Sequence, residues 1–354
     1  MSEAATGSAP ARGGLGSLVR NWTTIINTAN LPRGASMDPV SKWLIITRAS
    51  VFSMTITSGL IGGLLAAQTE DVSISWWFFA LAMAGLVLAH AANNMINDYF
   101  DITGGVDDPL YPRAQYMPHP LLSNLISKRG LITAILAVNV LDAAIMLYLT
   151  SERGPLVLLF ALLGLFISVF YVAPPIVLKR RGLGEIGVLI VWGPLMIGGT
   201  YFVAAGELPA WVWAACAPYA LVVMSVLIGK HLDKFDVDKA KGIRTLPVLL
   251  GYRVSQRLNQ IIMVGFYAAV AALVATSVLA VWVLVVALAL PRLVQVLRIY
   301  NNPRPAEAPP GYPVWPLWYV SAAFFFNKRA GELFVLGLIL NLFLPVYVRD
   351  VLPG

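Results

Sequence analysis

The stretch "WWFFALAMAGLVLAHAANNMINDYFDITGGVDDP", residues 76–109, decides how the chain is read. Its first half, 76–92, holds no Asp, Glu, Lys or Arg, and its end holds four aspartates: Asp98, Asp101, Asp107 and Asp108. The apolar part approaches the ~20 residues a helix needs to span a bilayer. Carboxylates clustered at the end of such a span are expensive unless something compensates them, roughly 2.5–3.5 kcal/mol each near the bilayer core.

Similar runs recur along the chain. Apolar residues make up 58% of the 354 residues and charged residues 12%, about half the charge of a soluble domain. Nine spans are expected, over 43–67, 76–97, 131–150, 155–178, 186–206, 209–229, 258–276, 278–299 and 332–349. Residues 314–327 are apolar but short and carry Pro316, which reads as an interfacial or re-entrant piece. The fold class is all-α, a polytopic membrane protein.

Lys and Arg test that count. Arg20, Arg33, Lys42, Arg113, Lys128, Lys179–Arg181, Lys230–Arg257 and Arg298–Arg329 fall in one set of loops, and the other set holds only Arg153 and Arg349. The asymmetry places the N-terminus in the cytoplasm of what is expected to be a bacterial cell membrane. Residues 1–41 read as a disordered or interfacial cytoplasmic tail, with "GSLVRNWTTIINTA" as a short interfacial helix, and 42–354 as the transmembrane domain. The net charge of +7 comes from loops spread between spans. It fits contact with anionic membrane lipid and gives nucleic-acid binding no support. One cysteine, Cys216, excludes an intrachain disulfide.

The eighteen acids are not evenly spread. Seven lie in two windows: the opening one, and "GKHLDKFDVDKAKGIRTLPVLLG", 229–251, with Asp233, Asp236 and Asp238. The first follows span two and the second span six, so both face the same side. Asn94, Asp98 and Asp101 are spaced i, i+4, i+7, and Asn97 and Asp101 are i, i+4, which puts them on one helix face. Hard oxygen ligands with amides beside them suit Mg2+, whose coordination is usually completed by water and substrate phosphates. Lys239, Lys241 and Arg244 follow the second window, and Lys179, Arg180 and Arg181 end span four. A metal-bound diphosphate needs such cations against its remaining charge. Lys179 is the best placed of its trio, lying nearest the apolar run. His90 and Asp142 lie within spans, where helix–helix hydrogen bonding or a paired acid explains them without chemistry.

These motifs, in this order, resemble the UbiA superfamily of intramembrane prenyltransferases. The menaquinone branch, which prenylates 1,4-dihydroxy-2-naphthoate, is the nearest likeness. "NDYFDITGGVD" (97–107) resembles that branch's first Asp-rich motif. "YVAPPIVLKRRGLGEIGVLIVWGPLMIGGTYFVAAGELP" (171–209) resembles its central signature, and "DKAKGIRTLPVLLG" (238–251) the tail of its second motif. "KWLIITRASVFSMTITSGLIGGLLAA" (42–67) resembles its first helix, with Arg48 on a recurrent arginine. The resemblance implies nine helices around a lipid-open chamber under a cytoplasmic cap, where Mg2+ and a polyprenyl diphosphate meet an aromatic acceptor.

Carried onto this chain, the resemblance makes Asn97, Asp98, Asp101 and Asp107 the first metal site and draws the second from Asp233, Asp236 and Asp238. Lys179, with Asp98 and Asp101, would serve catalysis, and Tyr171 would face the chamber. Asn94, Arg48, Arg113, Lys241, Arg244 and Glu185 would bind substrate. Two departures stand out. The second motif usually has an aspartate where this chain has Lys234, beside Asp233, and amides and an arginine where it has Lys230 and His231. After the first motif, "HPLLSN" brings His119 and Asn124, and Arg113 replaces the missing charge.

Two other classes fit membrane-embedded acids. A CDP-alcohol phosphotransferase needs Asp-Gly and Ala-Arg between aspartates of one motif, which this chain lacks. A cation-coupled transporter should carry its acids near mid-bilayer, whereas these sit at helix ends.

Overall fold

The computed structural model describes residues 14–351, apart from 71 and 313. Residues 1–13 of the expected tail lie outside the described residues. The stretch read as a short interfacial helix forms α1 (Leu15–Thr28), and α2 (Pro39–Ile46) follows. Pro39 suits the first helical position, where no amide hydrogen is needed, and Asp38 caps α2 through Val40 and Ser41.

Among the described residues, eight helices are long and apolar enough to cross a bilayer, against the nine spans expected. They are α3 (Ala49–Ala67), α4 (Trp76–Thr103), α5 (Lys128–Arg153), α7 (Gly184–Ala205), α8 (Trp211–Asp233), α9 (Tyr252–Ala275), α10 (Val281–Asn301) and the segment Tyr319–Asp350, whose main helix is α11 (Tyr319–Phe343). The span expected over 155–178 is α6 (Pro155–Phe170), only 16 residues. Pro174 and Pro175 lack amide hydrogens and disfavour helix before them, so the chain turns at Tyr171. The apolar piece expected to lie apart at 314–327 instead supplies, from Tyr319, the first turns of α11.

Pro194 does not end α7. It opens the hydrogen-bond ladder into a π-helical stretch, Val191–Gly198, and the helix resumes at Gly199. The same region packs closely on α3, where a Cβ on Gly62 would collide with the Ile197 carbonyl. Small residues at such crossings let membrane helices approach.

α8 is the central helix, with 67% of its span buried, against 6% for α5 at the periphery. α8 packs on α9, α11 and α7, and α4 joins α5 to α3. Buried polar groups cross-link the spans: Thr55 Oγ1 meets His90 Nδ1 at 2.7 Å, and Asn259 Nδ2 donates to Tyr300 Oη at 2.8 Å. His90 thus serves the helix–helix bond its position suggested.

Candidate functional site at the polar end of the bundle

α4 continues as helix past the expected boundary at 97 and carries its whole polar face to Thr103. Asn94, Asn97 and Asp98 are buried on it. Asp98, with no exposed surface, is gripped by two guanidinium forks. Arg113 donates Nε to Oδ1 at 3.2 Å and Nη2 to Oδ2 at 3.0 Å. Arg48 donates Nε to Oδ2 at 3.3 Å and Nη2 to Oδ1. A carboxylate has about four lone-pair sites, and the two forks fill them. Arg48 reaches Asp98 from a left-handed backbone (φ 54°) at the break between α2 and α3, a conformation that costs roughly 1–2 kcal/mol. Arg113 stands on the single turn Pro112–Tyr116, and its burial against Asp98 gives the replacement charge a definite partner.

Asp107 is treated differently. It is buried, and neither carboxylate oxygen has a hydrogen-bond partner. His119 approaches it, with Nε2 3.3 Å from Asp107 Oδ2 and 3.5 Å from Asp98 Oδ1. His119 Nδ1 already accepts the backbone amides of Leu121 (3.2 Å) and Leu122 (3.4 Å). In the neutral ring that leaves the hydrogen on Nε2, so His119 offers the carboxylates a loosely placed N–H rather than a lone pair. Burial pushes the Asp107 carboxyl up. His119 and the charges of Lys179, Arg48 and Arg113 outweigh that and hold it below the usual carboxylate range. Asn97 Oδ1 is likewise buried without a partner. Asp98, Asp107 and His119 form a group whose polar atoms lie within 4.8 Å of one another.

The second acidic window folds against the first. Lys241 Nζ donates to Asp108 Oδ2 and the Val106 carbonyl, both at 2.6 Å. Tyr111 Oη donates to Asp238 Oδ1 at 2.6 Å, and Lys234 Nζ donates to Tyr111 Oη at 2.9 Å. The turn after α6 closes the third side: Lys179 holds both oxygens of Asp101 at 2.9 and 2.8 Å, and Arg180 reaches the Gly104 carbonyl at 3.2 Å. Burial raises the Asp238 carboxyl, and the charges of Lys234 and His231 with the Tyr111 hydrogen bond bring it below the usual range.

Four predicted residues are not brought into this cluster. Asp233 accepts the backbone amides of Trp318, Tyr319 and Val320, each at 2.9 Å, and so caps α11. Its oxygens serve four-residue-end amides that would otherwise be unpaired, which removes it from ligand duty. Asp236 and Arg244 are exposed, on the outer face of Phe235–Ala240 and beyond it. Glu185 is buried, but its Oε1 meets His231 Nδ1 at 2.6 Å and ties the start of α7 to the end of α8.

Beneath the cluster lies a chamber of about 640 Å³. Its body is apolar, with Met54, Leu86, Phe160 and Phe324 among its walls, and its polar end is formed by Arg48, Asn94, Asn97, Tyr171 and Lys230. Asn27–Ala29, Tyr312, Val314 and Leu317 also line it. Asp142, mid-span on α5, reaches the wall. Lys230 is the residue that sequence reasoning underused. It appeared only as a departure from an amide, yet it faces the chamber and, among the described residues, has no carboxylate within ion-pair distance. Only its place one turn before Lys234 hinted at this.

The profile of the UbiA prenyltransferase family matches residues 55–328. The chain is 26% identical over 251 residues to the zebrafish (Danio rerio) UbiA prenyltransferase domain-containing protein 1, covering 70% of this chain and 73% of that one. It is 25% identical over 221 residues to the Rattus norvegicus protein of that name, covering 62% and 64%. The match thus spans a little under two thirds of the rat relative's length. These relatives are animal proteins, which gives the expected bacterial membrane no support. Among solved structures, a UbiA homolog from Aeropyrum pernix K1 superposes with a TM-score of 0.63 at 20% identity, over 82% of this chain and 98% of that one. A UbiA homolog from Archaeoglobus fulgidus, bound to GPP and Mg2+, gives 0.55 at 16% identity, over 83% and 99%. The shared architecture agrees with the all-helical bundle, and on the profile match the chain belongs to the UbiA prenyltransferase family.

Proposed function

We propose that this prenyltransferase moves a prenyl group from a polyprenyl diphosphate, with Mg2+, to a lipophilic aromatic acceptor. 1,4-Dihydroxy-2-naphthoate or a related quinone precursor is the acceptor the motif at 97–107 favours. One observation carries the reading: a 640 Å³ apolar chamber has a single cationic polar end, directly under two acidic loops that touch. An isoprenoid tail fits the body, and a diphosphate fits the end.

The residues present fit a hard divalent ion. Both Asp107 oxygens and Asn97 Oδ1 are buried acceptors lacking partners, a condition that is costly unless a cation or donor completes it. Asp107 and Asn97, beside the arginine-held Asp98, would be the residues to hold Mg2+, which would supply positive charge against the departing diphosphate. Arg48 and Lys230 line the chamber end and would hold the diphosphate oxygens. Lys179 keeps Asp101 fixed and adds charge from the side. As the carbon–oxygen bond of the prenyl diphosphate breaks, the Tyr171 ring, on the chamber wall, offers its face to the allylic cation. The apolar walls exclude water that would capture that cation, so the electron-rich ring carbon of the acceptor forms the new bond, and the ring regains its aromaticity by releasing what that carbon carried, a proton or, from a carboxylated carbon, CO2. The binding of GPP and Mg2+ by the Archaeoglobus fulgidus homolog supports the same assignment here. The excess of basic residues in one set of loops supports a cytoplasmic polar end.

The transporter reading loses ground because Asp98 and Asp101 lie in the last two turns of a 28-residue helix and are held by cations. The test is to incubate the purified chain in nanodiscs with geranyl diphosphate, 1,4-dihydroxy-2-naphthoate and Mg2+, and to analyse products by mass. A prenylated naphthoate, absent with Asp107→Ala, is expected. No product from this or a panel of other phenolic acceptors would sink the proposal.

A further inference from the structure

We infer that Lys234 is a built-in cation of the second acidic loop, so that the site takes one divalent ion, at Asp107, and meets the other half of a diphosphate with an ammonium. This rests on the reading that the site binds a prenyl diphosphate. Lys234 follows the last residue of α8 and is only 4% exposed. Its Nζ stands 3.5 Å from Asp238 Oδ2, donates to Tyr111 Oη at 2.9 Å and lies 5.1 Å from the centre of the Tyr111 ring. Tyr111 passes its own hydrogen to Asp238 Oδ1 at 2.6 Å. The three side chains therefore form one directed chain, ammonium to phenol to carboxylate.

The loop has no second carboxylate to offer. Asp233 is occupied as the cap of α11, and Asp236 is exposed. Asp238 Oδ2 has no hydrogen bond, but the charge it faces is already Lys234. A divalent ion placed on that oxygen would sit against a buried ammonium, where little water screens the repulsion. Tyr111 is itself packed in an apolar cluster with Val106 and Ile243, so the phenol that accepts from the ammonium is fixed in place. An ammonium carries three hydrogens, and Tyr111 takes one. The remainder are donors for a phosphate oxygen, one helical turn beyond Lys230, which faces the chamber. The first loop is the opposite case. Among the described residues, Asp98, Asp107 and His119 are the one group close enough to surround a metal, and within it Asp107 has the free lone pairs, since neither of its oxygens has a hydrogen bond and no ammonium faces it at the 3.5 Å seen for Asp238.

The experiment counts Mn2+ bound to the full chain in nanodiscs, with and without inorganic diphosphate, by the loss of the free-ion electron paramagnetic resonance signal. The wild type should hold one Mn2+ per chain at saturation, and Lys234→Asp should hold two. Lys234→Met, which keeps the length of the side chain in case the aspartate variant does not fold, should still hold one. Its affinity for diphosphate at saturating Mn2+ should fall roughly tenfold, the loss expected for a charged hydrogen bond. Two Mn2+ of similar affinity in the wild type, with diphosphate bound, would overturn the inference and leave the prenyl-diphosphate reading intact. Unchanged diphosphate affinity in Lys234→Met would do the same. A wild type that bound neither Mn2+ nor diphosphate would remove both.

Discussion

The two acidic loops use the same residue type to opposite ends. In the first, Asp107 is buried with no hydrogen bond to either oxygen and only the His119 ring, 3.3 Å from Oδ2, beside it. In the second, Asp238 is met by Tyr111 and Lys234, and Asp233 is saturated by three amides. Buried carboxylates are normally satisfied within the protein. One that is not, at the polar end of an apolar chamber, is where a ligand completes the structure. The difference separates acids that act from acids that hold the scaffold, and mutation can test it.

Asp107→Asn should give the largest effect. It removes the charge but keeps the shape, so prenyl transfer should fall roughly a thousandfold and Mn2+ binding should be lost. Intact Mn2+ binding in that variant would erase the distinction between the loops. Lys230→Met comes next. If this lysine meets the diphosphate, kcat/KM should fall about a hundredfold, with Mn2+ binding at the wild-type level. A variant with unaltered kinetics would show that the chamber end works through Arg48 alone.

Asp233→Ala addresses the scaffold side. Three amides at the start of α11 lose their acceptor, and stability should drop by about 2 kcal/mol in a detergent melt. Mn2+ stoichiometry should not change. A lost metal ion in this variant would return Asp233 to the ligand set that sequence reading gave it.

Why sequence does not separate these three acids is a matter of what it displays. Asp233, Asp236 and Asp238 sit within six residues, and nothing in the string says that α11 will begin beside the first of them. The cap joins positions 233 and 318–320, a relation only packing creates. The first cluster was legible because its geometry is local: Asn94, Asn97, Asp98 and Asp101 share a face of one helix, and α4 runs through all of them. Most spans were legible for the same reason. α11 was not, since Lys328 and Arg329 read as a loop, and Glu332 as the start of the last span, after an apolar piece set apart. They are instead exposed along a continuous helix, with Asn327 buried on the opposite side. The shortening of α6 was written in Pro174 and Pro175, but the apolar run past Phe170 obscured it.

Asp38 gives the smallest effect and the cleanest case of a scaffold acid. Its Oδ1 accepts Val40 N and Ser41 N at the start of α2 and Trp22 Nε1 from α1, each at 3.0 Å. Partial burial raises its pKa, and the bonds from Ser41, Trp22 and Val40 outweigh that, leaving it at about 2. The folded value is depressed, so the carboxylate's contribution is complete above the unfolded value of 3.8 and is lost as pH falls through about 2. α1 ends at the chamber, where Asn27–Ala29 form part of the wall, so its latch should loosen over that window. Hydrogen exchange of the α1 amides, followed from pH 5 down to pH 2 and corrected for intrinsic rates, should show protection falling across it. Asp38→Asn, which keeps an acceptor without a titrating charge, should flatten that dependence. If both proteins lost protection in parallel, the acid that ties α1 to α2 would be a bystander, and some other carboxylate would set the acid response of the N-terminal helix.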